Sequence, residues 1–365
     1  MSALPEAKQF VELHARHMGL CPERIGSVLR RIKTLNGDSP RAWVTIFTAE
    51  ALTSEAEGKS VEAANLYNLA RFPVADSATK REAASAAAQV FGEHIERTGT
   101  GERRMAQVGE RNIPFLFRPG RSRRARLVIL MGGIVSLKEQ WGAFLKLGRK
   151  LGCAVAVADF AGVGSNALPY SRDAGRVFGA IMDEVAKECD SSETLIIAPS
   201  FGGHLAMLHS LIDPRINRIF TIGAPIQAFF DAASRPGEND ALEIPLITRL
   251  ALANSMRISV EDLPEKVGAL AMSPAEIKRL SVPIVYVAAK HDEIIPSDEW
   301  EHVARRAPNL RVHEFDDVHG APNHLKATRL MVLSVLLRHA GQAWLGRLVQ
   351  SVLRTRFDVN PLPFK

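Results

Sequence analysis

The chain has 365 residues, of which 46% are apolar and 24% charged, a composition that speaks against a disordered, collagen-like or membrane-spanning protein. Its longest apolar run, residues 330–337, is far shorter than the roughly 20 residues that a spanning helix needs. The net charge of +6 is spread along the chain, and the dense basic run at 121–126 contains no aromatic residue, so we predict a solvated turn and no nucleic-acid partner.

The first hundred residues have the pattern of a helical region. Apolar residues recur at helical spacing in five segments, near 5–18, 22–35, 40–57, 60–71 and 77–97. Ser39 can cap a helix and Pro40 suits a first helical position, which supports a helix start there. The glycine-rich segment at 98–101 predicts a hinge. We therefore expect a helical N-terminal region over residues 1–100.

Strands and helices alternate in the rest of the chain. Strands are predicted near 113–117, 127–131, 154–158, 195–197, 219–222, 284–287 and 312–315. Helices are predicted near 141–151, 173–188 and 203–211, with a long helical tail over 324–354. Several strands are continuous apolar runs, as expected where both faces are buried. Repeated strand–helix–strand units predict the α/β fold class, with a mostly parallel sheet covered by helices on both faces.

One interval interrupts this alternation. About sixty residues of helical character separate the strand ending near 222 from the one starting at 284, too many for a simple connection. We interpret residues 227–281 as a helical cap insertion. The α/β core would then consist of a first part, residues 101–226, and a second part, residues 282–365.

The strongest chemical signal is the segment Ala198-Pro199-Ser200-Phe201-Gly202-Gly203, directly after a predicted strand. A serine presented on a sharp strand-to-helix turn needs small residues two positions before and after it, as in G-x-S-x-G. Ala198 stands in place of the first glycine and still meets that steric demand. The pattern indicates Ser200 as a nucleophile, although a serine that only caps the helix would give the same local sequence.

A serine nucleophile needs a histidine base and a carboxylate that orients it. After this kind of turn, the acid and then the histidine follow in chain order, each behind a late strand. Asp292 follows the strand at 284–287, and His319 follows the last predicted strand. The neighbouring Glu293 is an alternative that faces another direction, and His204 is predicted to pack within the helix. We expect Ser200, Asp292 and His319 to form a catalytic triad.

Two backbone amides must also point at the oxygen that becomes negative during acyl transfer. Phe201, the residue after the nucleophile, is predicted to supply one of them. The other should come from the loop after the first long parallel strand, which contains Gly132 and Gly133. Ile134 is our first choice for the second donor and Gly133 the second choice. A tight turn that merely needs flexible residues is the alternative interpretation of this loop.

The sequence predicts no cofactor and no metal. A second glycine-rich loop, residues 159–165, lacks the G-x-G-x-x-G spacing of a dinucleotide site, and we interpret it as a turn at the rim of the active site. No P-loop, zinc-protease or calcium-loop pattern occurs in the sequence. Three cysteines without a C-x-x-C spacing, and an N-terminus without a signal-peptide pattern, favour a cytoplasmic location.

These motifs resemble a branch of the α/β-hydrolase superfamily that includes the fermentation-respiration switch protein group, dihydroxypseudooxynicotine hydrolase and fungal polyketide-shortening hydrolases. Residues 132–139 are similar to the GG-x-x-S-x-K-E segment of that branch, and residues 159–164 to its D-x-P-G-x-G loop, with Ala161 for proline. The His291-Asp292-Glu293 segment and the histidine loop ending at Asn323 are further matches. The resemblance implies a lid formed by the N-terminal helices and the insertion, over a mostly apolar pocket. It also implies cleavage of esters, or of carbon–carbon bonds next to a ketone.

Pattern and resemblance together predict a serine hydrolase acting on a small acyl (ester or thioester) or ketone substrate, such as a polyketide or another secondary metabolite. Acyl transfer or cyclisation by the same acyl-enzyme, and a non-catalytic binding protein with this fold, are alternatives that the sequence leaves open. No membrane partner is expected, whereas the apolar C-terminal helix leaves a homodimer contact open. Candidate substrate contacts are Trp141, Tyr170, Phe229, Phe230 and Asp231.

Overall fold

The computed structural model describes residues 3–235, 244–360 and 362. The N-terminal region is helical, as predicted, with five helices whose ends lie close to the expected ones. These are α1 (Ala3–His17), α2 (Pro22–Arg31), α3 (Trp43–Ala56), α4 (Ser60–Ala70) and α5 (Ala78–Arg97). None of the helices in the described part of the chain is long and apolar enough to cross a membrane.

An eight-stranded sheet forms the centre of the protein, with the strand order β1-β2-β4-β3-β5-β6-β7-β8. Its strands are β1 (Glu102–Val108), β2 (Arg111–Arg118), β3 (Arg126–Met131), β4 (Ala154–Ala158), β5 (Asp190–Ile197), β6 (Ile216–Ile222), β7 (Ile284–Ala289) and β8 (Leu310–Phe315). β2 is antiparallel to β1 and to β4, and the other neighbours pair in parallel. The predicted α/β class with a mostly parallel sheet is confirmed.

Helices cover both faces of the sheet. The core helices are α6 (Ala143–Leu151), α7 (Arg176–Val185), α8 (Phe201–Ser210), α13 (Glu299–Ala304), α14 (Leu325–His339) and α15 (Ala343–Phe357). Alternate residues of each buried strand enter different cores. In β3, Ile129 packs in the core shared with α7, α8 and the N-terminal helices, and Val128 packs in the one shared with α6 and α14. This alternation follows from the two-residue period of a strand.

Two elements differ from the sequence predictions. β1 was not predicted, because this edge strand exposes the polar side chains of Arg103 and Gln107 and lacks a continuous apolar run. The predicted single tail helix is two helices, α14 and α15, which are separated at Gly341. Gly341 has φ of 79°, a left-handed conformation that ends a helix and that glycine adopts without strain.

In the described part of the segment between β6 and β7, where the cap insertion was predicted, the chain forms four α-helices; residues 236–243 of the predicted cap lie outside the described residues. The four helices are α9 (Ala228–Ala233), α10 (Leu246–Met256), α11 (Leu263–Val267) and α12 (Pro274–Arg279). The N-terminal helix α1 contacts α10, and the Glu6 carboxylate accepts hydrogen bonds from the amides of Leu246 (3.1 Å) and Ile247 (2.6 Å). A carboxylate is favourable there, because the first amides of a helix have no intrahelical acceptor. The N-terminal region and the cap are therefore joined.

The C-terminal helix α15 packs on the sheet side through Leu353 and leaves an apolar stripe on its outer side. Trp344, Leu348 and Val352, spaced four residues apart, are 60%, 57% and 45% exposed. The homodimer contact considered from the sequence stays a prediction.

Candidate active site

Ser200 is held in a strained backbone conformation on the turn between β5 and α8. Its φ of 55° and ψ of −135° fall in a region that residues with a side chain rarely adopt. The surrounding backbone maintains this conformation, because the Ser200 amide donates to the Ile222 carbonyl at 2.7 Å. The Ser200 carbonyl in turn accepts from the Gly203 amide at 2.9 Å. Such strain at one residue points to a role beyond capping the helix.

The two glycines that follow let α8 begin against the sheet. A Cβ atom at Gly202 would lie 2.5 Å from the Met131 carbonyl oxygen, and one at Gly203 would lie 2.1 Å from Thr221 Oγ1. Ala198 is fully buried at the position where glycine is usual, and its methyl group fits there. In the folded chain, the positions on either side of Ser200 therefore require small residues, as the sequence predicts.

The structure brings Ser200, His319 and Asp292 together from three separate loops. His319 Nε2 lies 3.1 Å from Ser200 Oγ, and His319 Nδ1 lies 2.9 Å from Asp292 Oδ2. Asp292 Oδ1 also accepts hydrogen bonds from the amides of Ile294 (2.9 Å) and Ile295 (2.8 Å). A carboxylate beside Nδ1 keeps the proton on that nitrogen, so Nε2 is free to accept the serine proton.

The electrostatics of His319 suit a group that gains a proton. Burial lowers the pKa of His319, but the attraction of Asp292 and, more weakly, of Glu293 outweighs burial, so the net pKa is raised. Glu293 also fixes the loop, since its Oε2 accepts from the His319 amide at 3.0 Å. The imidazolium form is thus stabilised at the position where it would arise by proton transfer from serine.

Gly223, which the sequence analysis did not single out, leaves space for the imidazole. It follows β6 with φ of 58°, and a Cβ atom there would lie 2.8 Å from His319 Cε1 and 3.2 Å from Asp292 Oδ2. Neither its conformation nor its surroundings accept a side chain. No local motif marks this glycine, because the groups that it accommodates lie far away in sequence.

The histidine loop is organised around the buried carboxylate of Asp317. This carboxylate accepts the amides of Asn323 (2.9 Å) and His324 (3.1 Å), together with His324 Nδ1 at 2.8 Å. Asp317 therefore shapes the loop from behind and does not contact the His319 ring. His291 and Asp316 pair with each other at 2.8 Å on the surface.

The loop after β3, residues 132–136, lies against Ser200 and is called the oxyanion loop below, after its predicted role. A Cβ atom at Gly133 would lie 3.1 Å from Ser200 Oγ and 3.5 Å from the Phe201 nitrogen. The Ser136 amide donates to the Gly133 carbonyl at 3.1 Å, which closes a tight turn. Among the described residues, the amides of Gly133, Ile134 and Phe201 have no acceptor. Free amides at this place are what an oxyanion hole requires.

Buried aromatic side chains lie behind Phe201. The rings of Phe229 and Phe230 lie 5.3 Å and 6.4 Å from that of Phe201, and the Tyr170 ring lies 6.2 Å away. Tyr170 donates its hydroxyl proton to His204 Nδ1 at 2.7 Å, while His204 Nε2 donates to a cap carbonyl at 2.9 Å. Burial lowers the pKa of His204 to about 3, so its ring is neutral and packs as predicted.

The other two predicted substrate contacts are both half-buried. Trp141 is half-buried and packs behind the oxyanion loop, where its Nε1 would be 2.8 Å from a Cβ atom at Gly132. Asp231 is half-buried on α9, and its carboxylate accepts a 3.4 Å hydrogen bond from Gln227. Substrate contact by either residue stays a prediction.

Two histidines of α1, which no sequence motif marks, lie next to the site. His14 and His17 are three residues apart and so share a helix face, and a Cβ atom at Gly320 would lie 3.6 Å from His17 Nε2. Burial, together with the charge of His319 and neighbouring cations, lowers the pKa of His14 to about 3 and that of His17 to about 4. His14 stacks on Phe10, and its ring nitrogens have no hydrogen-bond partner among the described residues.

A second unanticipated residue, Glu299, holds the start of the cap. Its carboxylate is fully buried and accepts hydrogen bonds from the amides of Gln227 (2.7 Å), Ala228 (3.0 Å) and Phe229 (2.8 Å). It thereby fixes α9 and the aromatic residues on it against the core. Within the described ranges, no cluster of three or more His, Cys, Asp or Glu side chains has an arrangement suited to a metal ion.

Among solved structures, those of AbyA5 are similar to this protein over almost the entire chain. The structure titled AbyA5 Wildtype is 31% identical, with a TM-score of 0.88, and the match covers 96% of this chain and 99% of that one. A second AbyA5 structure is 30% identical, with a TM-score of 0.82, and the match covers 89% of this chain and 97% of that one.

A more distant structure, 2,6-dihydroxy-pseudo-oxynicotine hydrolase, is 17% identical with a TM-score of 0.68, covering 96% of this chain and 97% of that one. This match shows the shared fold alone. No family model and no curated protein sequence matches the chain. The structural matches confirm the resemblance drawn from the sequence motifs.

Proposed function

The chain belongs to the α/β-hydrolase superfamily, and from that premise we propose that it is a serine hydrolase acting on a small acyl or ketone substrate. Ser200 is the nucleophile, His319 the general base and Asp292 the residue that orients the imidazole. The observation that carries the proposal is the chain of contacts from Ser200 Oγ to His319 Nε2 (3.1 Å) and from His319 Nδ1 to Asp292 (2.9 Å).

In the first half of the reaction, Ser200 Oγ attacks the substrate carbonyl carbon while its proton passes to His319 Nε2. The carbonyl oxygen becomes negative in the tetrahedral intermediate. The amide of Phe201 and that of Ile134 or Gly133 stabilise it, since Gly133 lies beside Ser200 and Phe201 and none of the three amides has an acceptor among the described residues. Between the two loop amides we favour Ile134. The Gly133 carbonyl accepts from the Ser136 amide inside the turn, so the Ile134 N–H of the same trans peptide points out of the turn.

In the second half, His319 returns the proton to the leaving group, and water releases the acyl group from Ser200 with His319 again acting as base. For an ester or thioester, the proton goes to oxygen or sulfur. For a carbon–carbon bond next to a ketone, the leaving group is a carbanion, and protonation of that carbon completes the cleavage. The same residues serve both cases.

The surroundings of Ser200 favour an apolar substrate with one carbonyl group. Aromatic rings lie behind Phe201, and Phe10 and Phe72 flank His14 on the side of α1, with ring centroids 5.9 and 6.2 Å from its ring. A polyketide or a similar secondary metabolite has this character. We propose that the N-terminal region and the cap, joined through Glu6, together cover this substrate.

Labelling with a fluorophosphonate probe tests the proposal, because the probe reacts only with an activated serine. We expect one labelled site in the wild type, identified as Ser200 by mass spectrometry, and no labelling of Ser200→Ala. Ser210→Ala is the matched control, since Ser210 ends the same helix α8 and its hydroxyl donates only to Met207. An unlabelled wild type, or a variant Ser200→Ala that is still labelled, would contradict the proposal.

A further inference from the structure

We propose that Arg71, in the N-terminal helical region, is a positioning residue that holds the oxyanion loop in its working conformation. The N-terminal helices would then be a part of the catalytic machinery as well as a cover for the substrate. The inference rests on the proposed function.

Arg71 follows the last residue of α4 and is 3% exposed. Its Nη2 donates a hydrogen bond to the Val135 carbonyl in the oxyanion loop. The guanidinium is oriented by its own segment. Nη2 also donates to Asn68 Oδ1 at 2.9 Å, Nε donates to the same oxygen at 3.1 Å, and Nη1 donates to the Pro73 carbonyl at 3.0 Å. The guanidinium is thus held rigidly where it meets the loop.

No carboxylate touches this buried cation in the described structure, which is unusual because an unpaired buried charge is unfavourable. Asp159 and Glu139 lie nearby but pair with Lys138, whose Nζ is 3.0 and 2.8 Å from their oxygens. Burial lowers the pKa of Arg71 to about 10 against the opposing attraction of these carboxylates, so Arg71 is charged at neutral pH. Its positive charge, which no carboxylate contacts directly in the described structure, lies beside the loop that would bind the oxyanion.

A second connection runs from α4 to the same loop. Asn68 Nδ2 donates to Gln140 Oε1 at 3.2 Å, and Gln140 Nε2 donates to Ser136 Oγ at 3.2 Å. Adjacent loop residues, Val135 and Ser136, are therefore both held from the N-terminal region. Arg71 contributes to both connections, since it also fixes the Asn68 side chain.

These contacts bear on the direction of the Ile134 amide. In a planar trans peptide the N–H points opposite to the preceding carbonyl. The Gly133 carbonyl points into the turn toward the Ser136 amide, so the Ile134 N–H points out of it. Arg71 holds the Val135 carbonyl, two residues further along this four-residue turn. Without Arg71, the orientation of the Ile134 amide depends on the turn hydrogen bond and on the contact of Gln140 with Ser136.

The test compares Arg71→Met with Arg24→Met. Methionine keeps an unbranched apolar side chain but has no N–H donors. Arg24 is a matched control because it also joins N-terminal helices, through Glu50, Glu62 and Ser54, without contact to the oxyanion loop. Fluorophosphonate labelling is followed at several probe concentrations, which separates the maximal labelling rate from the probe concentration that gives half of it.

We expect Arg71→Met to lower the maximal labelling rate about 10- to 100-fold, somewhat less than the loss of a direct oxyanion donor. The half-saturating concentration should stay within about twofold, because probe binding precedes charge development. Arg24→Met should change neither quantity. Arg71→Lys, which restores one cationic donor, should recover part of the rate.

Labelling of Arg71→Met at the wild-type rate would overturn the inference. An equal loss of labelling rate in Arg24→Met would overturn it as well, since it would indicate a general effect on the N-terminal helices. If circular dichroism shows Arg71→Met to be unfolded, Gln140→Leu tests the second connection. We expect this variant to lower the maximal labelling rate about threefold or more. An unchanged rate would overturn the inference. An unlabelled wild type would instead contradict the proposed function, so the two failures are distinguishable.

Discussion

The tight fit around the His319 ring predicts that Gly223→Ala inactivates the protein without unfolding it. The new Cβ atom would lie 2.8 Å from His319 Cε1 and 3.0 Å from Nδ1, and ordinary contacts begin near 3.4 Å. The imidazole must therefore move by about half an ångström or more, and misplacement of about 1 Å can cost about 100-fold in rate. The φ of 58° at Gly223 adds backbone strain of about 1–2 kcal/mol for alanine.

Gly99→Ala separates these two effects. Gly99 has the same φ of 58°, but nothing lies within 4 Å of a Cβ atom there. Gly99→Ala should lose about 1–2 kcal/mol of unfolding free energy in urea titrations, and Gly223→Ala at least as much, because it has the same strain and a steric overlap in addition. Only Gly223→Ala should lose labelling of Ser200, by about 100-fold.

Labelling of Gly223→Ala at the wild-type rate would refute this reasoning, because it would mean that the ring can shift without consequence. A comparable rate loss in Gly99→Ala would refute it as well, since the strain alone would then explain the effect.

Three further predictions concern other groups around the site. The labelling rate should fall as the pH drops through the pKa of His319, with a midpoint above the ordinary value of 6.5, because Asp292 stabilises the inactive protonated form. Asp292→Asn should lower both this midpoint and the labelling rate. An unchanged midpoint would contradict the assignment. Glu299→Gln should lower the free energy of unfolding by about 1–3 kcal/mol in urea titrations, because a buried acceptor of three backbone amides is weakened. An unchanged midpoint of unfolding would show that contacts other than those of Glu299 hold the cap. His14→Phe keeps the stacked ring but removes its nitrogens, which have no partner in the described structure and could bind a substrate. We expect a higher KM for a carbonyl substrate and unchanged fluorophosphonate labelling of Ser200. An unchanged KM would exclude His14 from substrate binding.

Much of the fold follows from local patterns in the sequence. Runs such as 127–131 and 154–158 are apolar throughout because both faces of the sheet are covered, and that is visible without any knowledge of the partners. β1 escaped prediction for the opposite reason, since an edge strand with polar, exposed side chains has no such run. The division of the C-terminal helix at Gly341 depends on a backbone angle that a glycine permits but does not require.

That Ser200, Asp292 and His319 lie close together could also be predicted from the sequence, because each follows a parallel strand and the carboxyl ends of parallel strands meet at one edge of a sheet. The residues that surround these three side chains could not be predicted in the same way. Gly223, Glu299, His14 and Arg71 are defined by contacts between residues far apart in the chain, such as the 64 positions from Arg71 to Val135. No local pattern encodes such a contact. The chemistry offered by the strand ends is thus determined by the sequence locally, and the tertiary structure alone decides what holds that chemistry in place and what faces the substrate.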